Sequence, residues 1–354
     1  MPSILSVFKQ EGLDCLPCDP LNLDLPRFDE YRDAAEHTAD AIFESLPPQS
    51  DRRRISSRDL GCPILRFFLD GSRKTYKVAD LILEGRYLPV IAGQVGVAVI
   101  ARDQSLRLRP FREFCRLKNL IAFPDKTSDD DLTTISAAVN ATCRVPFEMV
   151  KYTIKPEKDA VDLGVAKIMS EMQNLEIQIV QDMAEAGILQ NDSMLVIDGP
   201  LRLRKNIDVQ QFRNVVGLSK SFRPNFTVGK SKKRQDVGTI TARLEFGERS
   251  SVFKTSESEN IIGMWYLRIR QPEMMPNPLQ GVIKLECFAF GPNETENGID
   301  SNRVDCVSAH LMRERNVTPY QADFRWASHI YPVYMAETYL KASFLSDQFF
   351  RGLF

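Results

Sequence analysis

Two short apolar runs constrain this chain more than any other feature, because each ends in the same dipeptide and a long amphipathic helix precedes the second. Ile64-Leu65-Arg66-Phe67-Phe68-Leu69 runs into Asp70-Gly71-Ser72, and Met194-Leu195-Val196-Ile197 runs into Asp198-Gly199-Pro200. Apolar, β-branched and aromatic runs bounded by turn residues read as short strands. Between them Val165, Ile168, Met169, Met172, Leu175, Ile179 and Met183 recur at three and four, which predicts a helix over 164–186 that stops at Gly187. A helix feeding a strand that lies beside an earlier one is the usual way to build parallel neighbours. The expected fold class is therefore α/β, a mixed sheet flanked by helices.

If the two strands are parallel neighbours, their terminal side chains come about 5 Å apart. Two carboxylates that close repel unless a positive charge lies between them, and a hard divalent cation such as Mg²⁺ or Mn²⁺ suits carboxylate oxygen. Such a pair can serve phosphodiester hydrolysis. Asp-Gly is also ordinary turn chemistry, so either aspartate taken alone reads as a turn residue before it reads as a ligand. A third carboxylate is expected from the helix, where Glu171, Glu176, Asp182 and Glu185 are the candidates.

The rest of the chain frames this unit. Residues 1–60 read as an N-terminal helical appendage, with helical spacing over Phe28–Leu46 and an exposed break at Pro47-Pro48-Gln49-Ser50 and Arg52-Arg53-Arg54. Residues 61–345 read as the main domain. Within it, 90–101 predicts one buried strand or a pair, 126–131 a polar loop, and 264–269 and 282–290 additional β-strands that could form an antiparallel pair. A helix is expected from Pro332 to about Phe349, with proline at its first position, and residues 346–354 form an unusually aromatic C-terminal tail that could pack on a partner or on its own core.

Composition narrows the function classes. Hydrophobic residues make up 43% and charged residues 26% of the chain, ordinary globular usage. No run approaches the ~18–20 apolar residues of a membrane span, and the first residues lack the basic and apolar regions of a signal peptide; a cytoplasmic location is expected. Seven scattered cysteines do not suggest a disulfide framework, and Cys15-x-x-Cys18 lacks a second pair at zinc spacing. The net charge is only −1, yet ten bases and one acid, Asp208, fall between Pro200 and Gln235. Arg202, Arg204, Lys220, Arg223, Lys230, Lys232, Lys233 and Arg234 in this stretch are candidates for phosphate contacts with nucleic acid. The chain has no Gly-x-x-x-x-Gly-Lys-Ser/Thr phosphate loop, so ATP-driven movement would have to come from a partner.

Four motifs, taken in order, resemble the NurA nucleases over roughly residues 62–345. They are Phe68-Leu69-Asp70-Gly71-Ser72, Leu195-Val196-Ile197-Asp198-Gly199-Pro200-Leu201, Val215-Val216-Gly217-Leu218-Ser219-Lys220-Ser221 and Tyr331-Pro332-x-x-Met335. The resemblance implies an RNase H-like fold, Mn²⁺- or Mg²⁺-dependent DNA cleavage, a homodimer, and a HerA-type hexameric ATPase that feeds DNA to the nuclease in end processing or anti-phage defence. It further implies that Asp70 and Asp198 are metal ligands, that Glu176 is the helical ligand with Glu171 in reserve, and that Lys220 holds the scissile phosphate. Tyr331 could position DNA or water or be a packed core aromatic, and Arg73, next to the first motif, could meet phosphate or form a salt bridge. One departure stands out: the family often carries His or Asp eight residues after the tyrosine, and here that residue is Tyr339. Glu337 and His329 are the nearest substitutes for this fourth ligand. Two other readings remain open, a nuclease-like DNA-binding or assembly module without catalysis, and an RNase H-like enzyme acting on RNA or junctions.

Overall fold

The structure, a computed structural model of the 354-residue chain, describes residues 3–24, 41–56, 60–201, 207–224, 226–228, 235–257, 260–316 and 324–354. The chain begins with α1 (Ile4–Gln10), β1 (Cys15–Asn22) and β2 (Arg52–Arg54), and continues into a long hairpin of β3 (Leu65–Leu83) and β4 (Arg86–Arg102). Next come β5 (Leu108–Pro110), β6 (Arg116–Pro124), α2 (Asp129–Thr142), β7 (Glu148–Tyr152) and α3 (Ala160–Glu185). β8 (Met194–Asp198) and β9 (Val215–Ser219) follow, then β10 (Thr227–Val228), β11 (Gln235–Asp236) and α4 (Val237–Ala242). The last strands are β12 (Glu248–Ser250), β13 (Phe253–Glu257), β14 (Asn260–Arg268) and β15 (Val282–Phe288). Helices α5 (Gly291–Asn297), α6 (Ser301–Glu314), α7 (Tyr331–Ser343) and α8 (Asp347–Arg351) complete the chain.

One large mixed sheet organises the molecule, in the order β2-β12-β14-β15-β9-β8-β3-β4-β6-β7. β3 runs parallel to β8 and β8 parallel to β9, whereas β3–β4, β4–β6 and β9–β15 are antiparallel. Helix α3, between β7 and β8, returns the chain to the sheet centre, as a parallel β3–β8 pair requires. The central strands are apolar on both pleats because helices cover both faces. Phe68 and Val196 point into a core shared with Val333, Ala336 and Leu340 of α7. Leu69 and Ile197, one residue on, point the other way, into a core shared with Leu175 and Ile179 of α3.

Several expectations are corrected. Asp70-Gly71-Ser72 is not a turn: β3 runs straight through it, because β4 supplies an unbroken ladder with Asp70 opposite Ala98 and Gly71 opposite Val97. The N-terminal segment is not an appendage in the described residues. β1 pairs with β3, and Ile4, Val7 and Phe8 of α1 are buried in a core with Phe123 and Ile135. Most of the helix expected over 28–46 lies outside the described residues, and Ile42 and Glu44 are bridged to Phe253 and Ile299 as extended chain. Arg52–Arg54 is a strand against β12 rather than a break. Glu44 is tied down by Arg249, whose guanidinium Nη2 lies 2.9 Å from Glu44 Oε2 and whose Nε meets Asp305 at 2.5 Å. The loop expected at 126–131 already becomes α2 at Asp129, capped by the Ser128 hydroxyl.

The C-terminal helix also ends earlier than expected, at Ser343, before the separate short helix α8. Part of the aromatic tail docks on its own chain, while Phe349 is half exposed. Phe350 is fully buried between Tyr76 and Phe147, and Phe354 packs against Phe147. Among the described residues, no helix is long and apolar enough to cross a membrane.

Candidate active site

The β3–β8 register places the two aspartates beside each other. Leu69 pairs with Ile197, so Asp70 and Asp198 are the next residues on adjacent parallel strands. By the alternation of the pleat they share the face of Phe68 and Val196, toward α7. Lys220, immediately after β9, reaches across and places Nζ 2.7 Å from Asp198 Oδ2. Glu176 arrives from the α3 side, over Gly71: a Cβ added at Gly71 would land on its carboxyl oxygen and lie 3.0 Å from its Cδ. Asp70, Asp198, Glu176 and Lys220 line one cavity of about 470 Å³, walled by Met172, Ile177 and Phe212. Four of the residues singled out from sequence thus come together where β8 and β9 end.

The electrostatics of this cavity show an excess of negative charge. Burial pushes the Asp70 carboxyl well above the ordinary carboxylate range, and the neighbouring Asp198 adds to the rise against the pull of Lys220. Burial first, and Asp198 second, push Glu176 up to about 8. Burial opposes the charge on Lys220, but Asp198, Asp70 and the hydrogen bond to Asp198 outweigh it and hold the ammonium above the ordinary lysine range. Glu337 on α7 joins this set, since its charge acts on both Asp70 and Lys220. Burial works to raise Glu337 as well, but the hydrogen bond from Lys341 at 2.6 Å, with Lys220, Lys341 and His329 nearby, holds it below the usual range.

Hard oxygen donors short of compensating charge are the chemistry that a divalent cation fits. Asp70 and Asp198 are the pair placed to hold one, with Glu176 across the cavity. Among the described residues, no three His, Cys, Asp or Glu side chains converge as a ready-made cage. Asp70 and Asp198 share one face while Glu176 comes over the other, and Lys220 already engages one Asp198 oxygen.

The remaining candidates divide. Glu171 is engaged by Lys167 at 2.5 Å and by Asn174, Asp182 by Gln178, and Glu185 by Gln211, so Glu176 is the helical acid of the four that lines the cavity. Arg73 does not point to a phosphate path: its guanidinium binds Asp24 at 2.7 Å, and Asp24 also accepts from the Thr75 hydroxyl. Tyr331 is 46% exposed at the start of α7, which removes the alternative of a packed core aromatic. Tyr339 packs against the α7-side core and His329 stands beside Tyr334, near enough to Glu337 to act on its charge. Arg223 is exposed on the segment after β9. Arg202, Arg204, Lys230, Lys232, Lys233 and Arg234 lie outside the described residues. Sequence reasoning missed Lys284 and Glu286, a buried ion pair on β15 beside this site; their signal is two charges in the otherwise apolar run 282–288.

Fold and site together define an α/β protein with a carboxylate cavity where β8 and β9 end beside the middle of β3. The chain matches no protein-family model, and no curated protein matches it.

Proposed function

We propose that this chain is a divalent-cation-dependent DNA nuclease of the NurA type, built on an RNase H-like sheet. The observation that carries the reading is the side-by-side placement of Asp70 and Asp198 on parallel strands, with Lys220 bound to Asp198 and Glu176 lining the same cavity. The sheet core β6-β4-β3-β8-β9, with carboxylates on its central parallel pair, supports the RNase H-like part of the proposal.

Asp70, Asp198 and Glu176 would hold Mn²⁺ or Mg²⁺, and Glu337 is a better placed fourth ligand than His329 because its charge acts directly on Asp70. The chemistry supplied by such a cation is neutralisation of phosphodiester charge and a more acidic water. Lys220, already strongly cationic, donates to a non-bridging phosphate oxygen and carries charge that develops during displacement. Tyr331, exposed at the start of α7, offers its ring to a base or sugar. The basic stretch 202–234 supplies phosphate contacts along the strand. The homodimer and the HerA-type hexameric ATPase partner belong to the same proposal, as does action at DNA ends in repair or anti-phage defence.

A second reading, a DNA-binding or assembly module without catalysis, is favoured by one observation: Tyr339 packs on the core where the family often places a ligand. Incubating the purified chain with linear single- and double-stranded DNA in Mn²⁺, beside Asp70→Asn, separates the two. Cleavage by the wild type and none by the variant supports the nuclease; binding without Mn²⁺-dependent cleavage moves the case to the second reading. RNA and RNA–DNA hybrid substrates in the same assay test the substrate class.

A further inference from the structure

A second cavity, of about 470 Å³, lies at the other end of the central parallel strands. Ile64 precedes β3, Met194 opens β8 and Asn214 precedes β9, and all three line it. It shares no residue with the carboxylate cavity, and the length of β8 puts about 13 Å between Met194 and Asp198. Its far wall is α6, where Arg303, Cys306 and Val307, at spacings of three and four, present one helix face.

The walls say what the cavity suits. Its floor is apolar: Met194 and Val307 are almost fully buried, and the half-buried Phe290 is held by an edge-on contact with Phe288, ring centroids 6.4 Å apart. An aromatic ring lining a cavity of this size suits a flat heterocycle. Three carboxamides, Asn191, Asn214 and Asn293, surround that floor. Asn214 Nδ2 donates to the Leu189 carbonyl at 3.2 Å, which fixes the amide and leaves its oxygen without a partner among the described residues. Asn293 Oδ1 accepts from Asn297 at 3.1 Å, which leaves its NH₂ group to donate. A fixed acceptor and a fixed donor are what the polar edge of a nucleobase needs, as in the pairing of asparagine with adenine.

Charge selects the rest of the ligand. Arg303 Nη2 donates to the Arg213 carbonyl at 2.7 Å, while Nη1 reaches Glu294 only at 3.4 Å. Glu294 makes its shorter bond elsewhere, accepting the Phe290 N–H at 3.0 Å. The Arg303 fork is therefore held in the wall with donors to spare. Arg213 also lines the cavity, is exposed, and has no acid partner among the described residues. Two guanidiniums against one carboxylate leave an excess of positive charge, and the planar guanidinium matches phosphate geometry.

We propose that this cavity is a second ligand site, taking a nucleoside monophosphate with its base between Phe290 and the carboxamides and its phosphate on Arg213 and Arg303. The site stands apart from the nuclease reading, since no residue of the carboxylate cavity takes part in it.

The test uses the full chain in EDTA, with adenosine 5′-monophosphate (AMP) as the probe. Cys306, half-buried on the α6 wall, reports occupancy through its alkylation by N-ethylmaleimide, and the exposed Cys62, outside the cavity, is the internal control. Millimolar AMP is expected to slow alkylation of Cys306 roughly tenfold, as a site about 90% occupied requires, with Cys62 unchanged; peptide masses read the two separately. Arg213→Ala is expected to weaken AMP binding roughly tenfold in calorimetry, the loss of one charge-assisted contact, and to leave adenosine binding unchanged. Asp70→Asn is expected to bind AMP as the wild type does. Should Cys306 prove unreactive without ligand, calorimetry on the same variants decides. Neither protection nor binding heat with AMP would overturn the site. Inorganic phosphate protecting Cys306 as well as AMP does would overturn the nucleotide assignment. Binding lost in Asp70→Asn would put the nucleotide in the carboxylate cavity and overturn the second site.

Discussion

Replacing Gly71 with alanine adds one methyl group at the point where the Glu176 carboxyl rests on β3. The new Cβ would clash with Glu176 Oε1, with Glu176 Cδ at 3.0 Å and Met172 Cγ at 3.3 Å. Overpacking a filled site costs about 1–3 kcal/mol, and the smaller backbone freedom of alanine returns about 0.5–1 kcal/mol. A net loss of about 1–2 kcal/mol corresponds to a fall in Tm of roughly 1–3 °C for a chain this large. Moving Glu176 by even about 1 Å is worth on the order of a hundredfold in rate if it is a ligand. Gly71→Ala is therefore expected to show a modest stability loss and a large loss of Mn²⁺-dependent DNA cleavage. Gly71→Ala/Glu176→Ala removes the clash and is expected to regain stability without regaining activity, a non-additivity that reports direct contact. Thermal unfolding and a fluorescent DNA cleavage assay read both quantities. Wild-type Tm together with wild-type cleavage in Gly71→Ala would refute the placement of Glu176 over β3.

Three further outcomes follow from the same geometry. Without metal, Asp70 and Glu176 keep their protons in the folded chain after the unfolded chain has released them, so stability falls as pH rises. For Glu176 the window runs from about pH 4 to about pH 8, at up to about 1.4 kcal/mol per pH unit; urea unfolding in EDTA from pH 5 to 8 should show the decline, and Glu176→Gln should make it shallower, leaving the share of Asp70. Lys220→Met removes the cation bound to Asp198, and is expected to leave Mn²⁺ affinity equal or tighter by calorimetry while cleavage drops roughly 10²-fold or more. Phe350→Ala is expected to cost about 3–5 kcal/mol, because its ring is fully buried between Tyr76 and Phe147; a Tm within a degree of wild type would contradict that docking.

Much of the site was legible in sequence because it depends on strand neighbours. The apolar runs before Asp70 and Asp198 and the three-and-four spacing of α3 point to two strands that could be parallel neighbours with a helical acid nearby; the choice of Glu176 among four such acids comes from the family resemblance. What the runs concealed was the continuation of β3. Past Gly71, Ser72-Arg73-Lys74-Thr75 reads as polar loop, yet it pairs residue by residue with β4 from Gly96 to Gly93. Arg73 looked available for phosphate because Asp24, its partner, lies 49 residues earlier on a segment whose strand character is weak. Glu337 and His329 could not be ranked from spacing, since only the packing of α7 against β3 decides which of them acts on Asp70. Glu286 and Lys284 stand out as two charges in an apolar run, but what they hold is seen only with the Leu201 N–H on Glu286.

The most direct test is to soak crystals with Mn²⁺ and map its anomalous scattering. The account predicts a peak in contact with oxygens of both Asp70 and Asp198, lost in Asp70→Asn. A map with no peak there, or with manganese bound only elsewhere on the protein, contradicts it.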